Sequence, residues 1–100
     1  MKITNIDLDK PFKNPLNFAY NFAEFFDEFK GLGYSCYFFN DLNEEIYTEP
    51  YDKKFGIYRT AISPDVLEMC DTIDEVLLTK FTDGMTIFEY LTGDKPIVED

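Results

Sequence analysis

The sequence contains no histidine and no tryptophan, two cysteines and one arginine, Arg59. Histidine is the side chain most used for proton transfer and metal ligation near neutral pH. Without it no Ser-His or Cys-His nucleophile pair can form. Zinc sites that use histidine are excluded too, and Cys36 with Cys70 cannot complete one alone. Neither cysteine belongs to a CxxC pair, and two do not make a disulfide framework. Both are expected as reduced thiols acting as small buried apolar residues; a redox pair or a reactive thiol is the alternative. One arginine offers little for clamping phosphate. GxxxxGK[ST] and GxGxxG are absent, and Gly31-Leu32-Gly33 is shorter than either. Acyl transfer, phosphoryl transfer and nucleotide hydrolysis are therefore not expected, and neither is a cofactor or a bound metal. No apolar run approaches the ~18 residues that span a bilayer. Residues 1–13 alternate polar and apolar and hold no h-region, so an export signal is not expected and a cytoplasmic location is.

What the sequence has is acid and aromatic surface together. Twenty acidic residues stand against 9 basic ones, net charge -11, yet 11 Phe and 7 Tyr occur in 100 residues. Acid-rich chains stay unfolded when they lack apolar area to bury. This chain has that area, so it is expected to fold as one domain carrying a dense negative surface. The excess is uniform: nine acids against four bases in residues 1–50, and eleven against five in residues 51–100. Such a surface repels nucleic acid and anionic lipid and favours a basic protein partner. A homodimer is compatible with the sequence.

The pattern predicts an α+β fold, a short antiparallel sheet of three strands packed against two main helices plus a short C-terminal helix. Residues 2–8, with Ile3, Ile6 and Leu8, are a candidate fourth strand. Asn14-Pro15 has the form of a helix start, Asn as N-cap and Pro at the first helical position. That predicts a helix over residues 15–30, with Phe18, Phe22, Phe25, Phe26 and Phe29 on one side and Glu24, Asp27 and Glu28 on the other. Strands are expected over 34–39, 44–49 and 55–62, separated by Asn/Asp/Pro turns. Ser63-Pro64 repeats the helix-start pattern and predicts a helical segment to Phe81. Thr72-Ile73-Asp74-Glu75 matches a capping box, so this segment divides into two helices if the chain breaks near Asp71. Asp83-Gly84 marks a turn, residues 86–92 a last helix ended by Gly93, and the tail from Asp94 is expected to fray.

Carboxylates alone can catalyse glycoside hydrolysis, but only as two acids at a fixed separation across a cleft. Asp41, Asn43 and Glu45 fit the first positions of a calcium loop. Ile46 then replaces the required glycine and Asp52 the closing glutamate, which favours a solvated acidic turn.

The acidic faces are the positive signal. On a continuous helix Glu68, Asp71 and Glu75 form a row about 5 Å apart, flanked by Asp74, and Glu24, Asp27 and Glu28 supply a second, shorter cluster. A folded surface with carboxylates at that density imitates part of the phosphate field of DNA, which carries one charge per ~1.7 Å of axis. A charged face that only solvates the domain is the competing reading. The phenylalanines at helical spacing read as core. Tyr47, Tyr51 and Tyr58, near Glu45, Glu49 and Asp52, form either a partner-facing patch or the second face of a thin sheet.

In size, charge and want of catalytic residues the chain resembles the small acidic inhibitors of phages and mobile elements, the anti-restriction and anti-CRISPR proteins and other DNA mimics. The resemblance implies a non-enzymatic inhibitor seated in the basic DNA- or RNA-binding groove of a nuclease complex. Its expected contact residues are Glu68, Asp71, Asp74, Glu75, Glu24, Glu28, Glu44, Glu45, Tyr47 and Glu49. The alternatives are an immunity protein or antitoxin that neutralises a basic toxin, and an interaction module whose acidity serves solubility.

Overall fold

In chain order the computed structural model, which describes residues 2–16, 18–29, 36–39, 44–49, 54–59, 67–80 and 84–100, runs β1 (Lys2–Ile3), α1 (Phe22–Glu28), β2 (Cys36–Phe39), β3 (Glu44–Glu49), β4 (Lys54–Arg59), β5 (Leu67–Cys70), α2 (Ile73–Leu78), α3 (Ile87–Thr92) and β6 (Val98–Glu99). Strands β2 to β5 form one antiparallel meander in chain order, and β1 pairs with β6 in a separate two-stranded ladder. This is the α+β architecture expected from the sequence, with three helices and two small antiparallel sheets among the described residues.

The core is aromatic. Phe22, Phe25 and Phe29 of the α1 region are buried with Phe12, Phe55, Ile57, Val76, Leu77, Ile87, Phe88 and Leu91. Phe22 stacks on Phe88 at 5.6 Å and 18° and meets Phe12 edge-on at 4.8 Å. Phe29 meets Phe55 edge-on at 6.0 Å, which ties α1 to the sheet.

The first helix is shorter than expected because tertiary hydrogen bonds override the Asn14-Pro15 signal. The Asn14 side-chain amide donates to the Tyr90 carbonyl at 2.7 Å, and the Lys13 N–H donates to the Leu91 carbonyl at 2.7 Å. Those carbonyls sit in the last turn of α3, where intrahelical partners run out. Residues 13 and 14 satisfy them instead of opening a helix, and Leu16 then closes on Ala19 through a reciprocal pair of bonds at 2.9 and 3.3 Å. The helix begins later, where Asn21 accepts from the Glu24 N–H at 2.9 Å as N-cap. Asn21 is also a buried polar residue at the edge of the core. Asn21→Ala is expected to lower stability by about 1–2 kcal/mol, read as a lower urea midpoint with unchanged slope; a change below about 0.3 kcal/mol would contradict the cap.

The helical reading of residues 64–81 is corrected on both sides of α2: the helix covers only Ile73–Leu78 and Thr79 is already extended, while the expected helix start at 63–66 and Phe81 lie outside the described residues. Residues 67–70 are strand, pairing Phe55 with Cys70, Gly56 with Met69 and Ile57 with Glu68. Cys70 is buried opposite Phe55 while neighbouring Met69 is 46% exposed, the two-residue alternation of a strand. The helical wheel failed here because Met69, Cys70 and Ile73 satisfy either period over so short a run. The break at Asp71 is found, with one arm of the capping box: Thr72 is the N-cap of α2 and its side chain accepts from the Glu75 N–H at 3.2 Å, while the Glu75 carboxylate takes the N–H of Asp71, one residue earlier than the box requires. The sheet's fourth strand is thus β5 rather than residues 2–8.

Nor does the chain end simply fray. Val98 and Glu99 pair with Ile3 and Lys2, the Thr4 N–H donates to the Ile97 carbonyl at 2.8 Å, and the Asn5 side chain bonds Lys95 and Ile97. The last helix ends as read, with Gly93 at φ +80° in the left-handed region that favours glycine. The expected calcium-like turn at Asp41 and Asn43, and Tyr51 with Asp52, lie outside the described residues. Among the described residues no helix is long and apolar enough to cross a membrane.

Candidate functional site

Each of the three helices among the described residues opens on a side-chain cap three residues before a glutamate: Asn21 and Glu24, Thr72 and Glu75, Thr86 and Glu89. In two of them the glutamate also reaches back. Glu75 Oε2 accepts the Asp71 N–H at 2.8 Å, and Glu24 Oε2 accepts the Tyr20 N–H at 3.1 Å. These carboxylates hold helix starts, as the acid of a capping box does. Glu24 and Glu75, expected from the sequence as partner contacts, therefore have a structural role, and the spacing that could have separated them out was visible in Asn21-x-x-Glu24.

The row of Glu68, Asp71 and Glu75 does not exist as a helical stripe. Glu68 lies on β5, Asp71 on the bend after it, and Asp74 and Glu75 in the first turn of α2. They still gather at one corner, where the strand hands over to the helix. Glu68 and Asp71 are exposed and Asp74 is half-buried. Lys54 on the neighbouring strand pairs with Asp71 at 3.5 Å, a contact between exposed groups that contributes about 0–1 kcal/mol. Glu28 is exposed near the end of α1, away from this corner in sequence. Glu44, Glu45, Tyr47 and Glu49 occupy β3 in the order expected; their side chains lie outside the described part. Tyr20 is 54% exposed.

Beneath the acidic corner lies Cys70. Burial pushes its thiol above its ordinary range; the hydrogen-bonding contact with Thr79 opposes this and the charges of Glu75, Glu68 and Asp71 reinforce it. The folded state holds its proton more tightly than the unfolded state. The resulting stability is fully present below about pH 8.5, the ordinary thiol value, and is lost as pH rises from there through the folded value. Urea unfolding at pH 7 and pH 10 is expected to show a smaller alkaline loss for Cys70→Ala than for the parent. Equal losses would contradict the burial of the thiol.

Among the described residues no group of three metal-ligating side chains converges. A cleft of about 190 Å³ does open where the β1–β6 clasp meets the end of α3. Asp7, Lys10 and Asp94 stand around it, over Phe12, Phe22 and Phe88. Sequence reading missed this grouping, because Asp7 and Asp94 come together only through the pairing of the two chain ends.

No protein-family model, no curated protein and no solved structure matches the chain. The described residues form a small α+β fold in a chain of net charge -11.

Proposed function

We propose that the chain is a non-enzymatic acidic binding protein that inhibits a nucleic-acid-handling protein by occupying its basic DNA- or RNA-binding groove. In kind this is an anti-restriction or anti-CRISPR inhibitor of a phage or mobile element, acting in the host cytoplasm. The observation that carries the reading is the charge: net -11 in a 100-residue chain whose core is built almost wholly from aromatic and aliphatic side chains. A uniform excess of one sign opposes folding by self-repulsion, and a basic partner relieves that repulsion on contact. Glu68, Asp71 and Asp74, gathered where β5 hands over to α2, are the first contact group. Glu28, and Glu44, Glu45, Tyr47 and Glu49 on β3, are the second.

The test is capture from host lysate on the immobilised domain, eluted by a salt gradient, with mass spectrometry of each fraction. Charge-led contacts weaken as the screening length falls from about 10 Å at 0.1 M to about 3 Å at 1 M salt. DNA- or RNA-binding proteins released within that range are the expected result. A partner that stays bound at 1 M salt would replace this reading with an aromatic-led interaction module. A captured toxin would replace it with an immunity protein.

A further inference from the structure

We infer that the cleft between the β1–β6 clasp and the end of α3 is a receptor for one arginine side chain presented by a protein partner. Its size sets the class of occupant. Sites for drug-sized ligands measure roughly 300–1,000 Å³, whereas this cleft holds about 190 Å³. A single long side chain is of a size to be taken up in it.

Its lining sets the chemistry. The floor is aromatic: Phe12 and Phe22 meet edge-on at 4.8 Å, and Phe22 and Phe88 stack at 5.6 Å. The rim carries two carboxylates, Asp7 and Asp94, against one cation, Lys10, so the site has one negative charge in excess. Asp7 uses Oδ1 to accept the Asp9 N–H at 3.2 Å, which fixes the carboxylate and leaves its second oxygen to accept from a ligand. Lys10 Nζ and Asp94 Oδ2 stand 4.0 Å apart with both side chains about two-thirds exposed (64% and 66%). A pair that long and that wet is held weakly, so an entering cation can displace Lys10 from Asp94. An aliphatic stem against nearly buried phenylalanine rings, with a planar cation among the rim carboxylates, is the setting that suits guanidinium, which offers a fork of donors to carboxylate. The walls are preformed. Both ends of the Asn5 amide are engaged with the backbone of residues 95 and 97, and Thr92 Oγ1 donates to the Phe88 carbonyl at 2.9 Å and accepts the Asp94 N–H at 3.1 Å.

This proposal rests on the reading of the chain as a binder of basic protein surfaces, and its test needs no partner, so the two fail separately. The probe is N-acetyl-arginine amide, titrated into the isotopically labelled whole chain and followed by backbone amide shifts. Saturable shifts confined to residues 5–12 and 88–95, with a dissociation constant near or below about 10 mM, are expected. Asp7→Asn with Asp94→Asn should weaken binding at least tenfold; both side chains are exposed, and a retained amide spectrum shows that the fold survives. Lys10→Gln should tighten binding two- to fivefold. Shifts spread over the whole acidic surface, no saturation, or equal binding of the neutral N-acetyl-leucine amide would overturn the site. Free arginine binding ten times more tightly than the capped probe would overturn the protein source in favour of a small-molecule one.

Discussion

Phe22→Ala is expected to destabilise the domain by about 3–5 kcal/mol, the range for removing a buried phenylalanine. Phe22 is 2% exposed, and its ring lies within 6.3 Å of those of Phe12, Phe25, Phe26 and Phe88. It is where the N-terminal segment, α1 and α3 meet. A domain of this size has about 5–15 kcal/mol in total, so the substitution removes a large share. At about 4–8 °C per kcal/mol, the thermal midpoint should fall by at least about 12 °C. Tyr20→Ala, two residues away and 54% exposed, should stay within about 0.5 kcal/mol of the parent. Equal effects at the two positions would mean that the aromatic core is misplaced.

The second large effect concerns binding. Replacing Glu68, Asp71 and Asp74 by lysine should weaken capture of the partner at least about 100-fold, since close charge pairs at protein interfaces couple by about 1.5–7 kcal/mol each. Stability should change little. The Asp71 pair with Lys54 is exposed and contributes about 0–1 kcal/mol, and a lysine in the first turn of α2 costs about 0.3–1 kcal/mol against the helix dipole. Glu75→Lys is the contrasting variant: it removes the acceptor of the Asp71 N–H and should lower stability, with a smaller loss of binding than the triple variant. Isothermal titration of each variant, with its urea unfolding curve, separates the two roles. Full binding by the triple variant would remove the β5–α2 corner from the interface.

Asp74 shows what local sequence conveys and what it does not. Its place in the first turn of α2 was legible, because Thr72-x-x-Glu75 is a cap that acts within four residues. Strand β3 and helix α3 were legible for a similar reason, being bounded by strong turn residues and by Gly93. The start of α1 was not. Asn14 carries a helix-start signal, but its amide is taken by the Tyr90 carbonyl, far along the chain. Likewise the strand character of residues 67–70, just before Asp74, depends on β4 lying alongside. The candidate site divides in the same way. The acidic corner follows from neighbouring residues, whereas the cleft needs Asp7 and Asp94 brought together by the β1–β6 pairing.

The most direct measurement of the central claim is competition for the captured partner, with its DNA or RNA duplex labelled and pre-bound. Addition of the domain should displace the duplex completely at one equivalent, with no species containing all three components. A stable ternary complex, with the duplex still seated, would contradict occupation of the nucleic-acid groove.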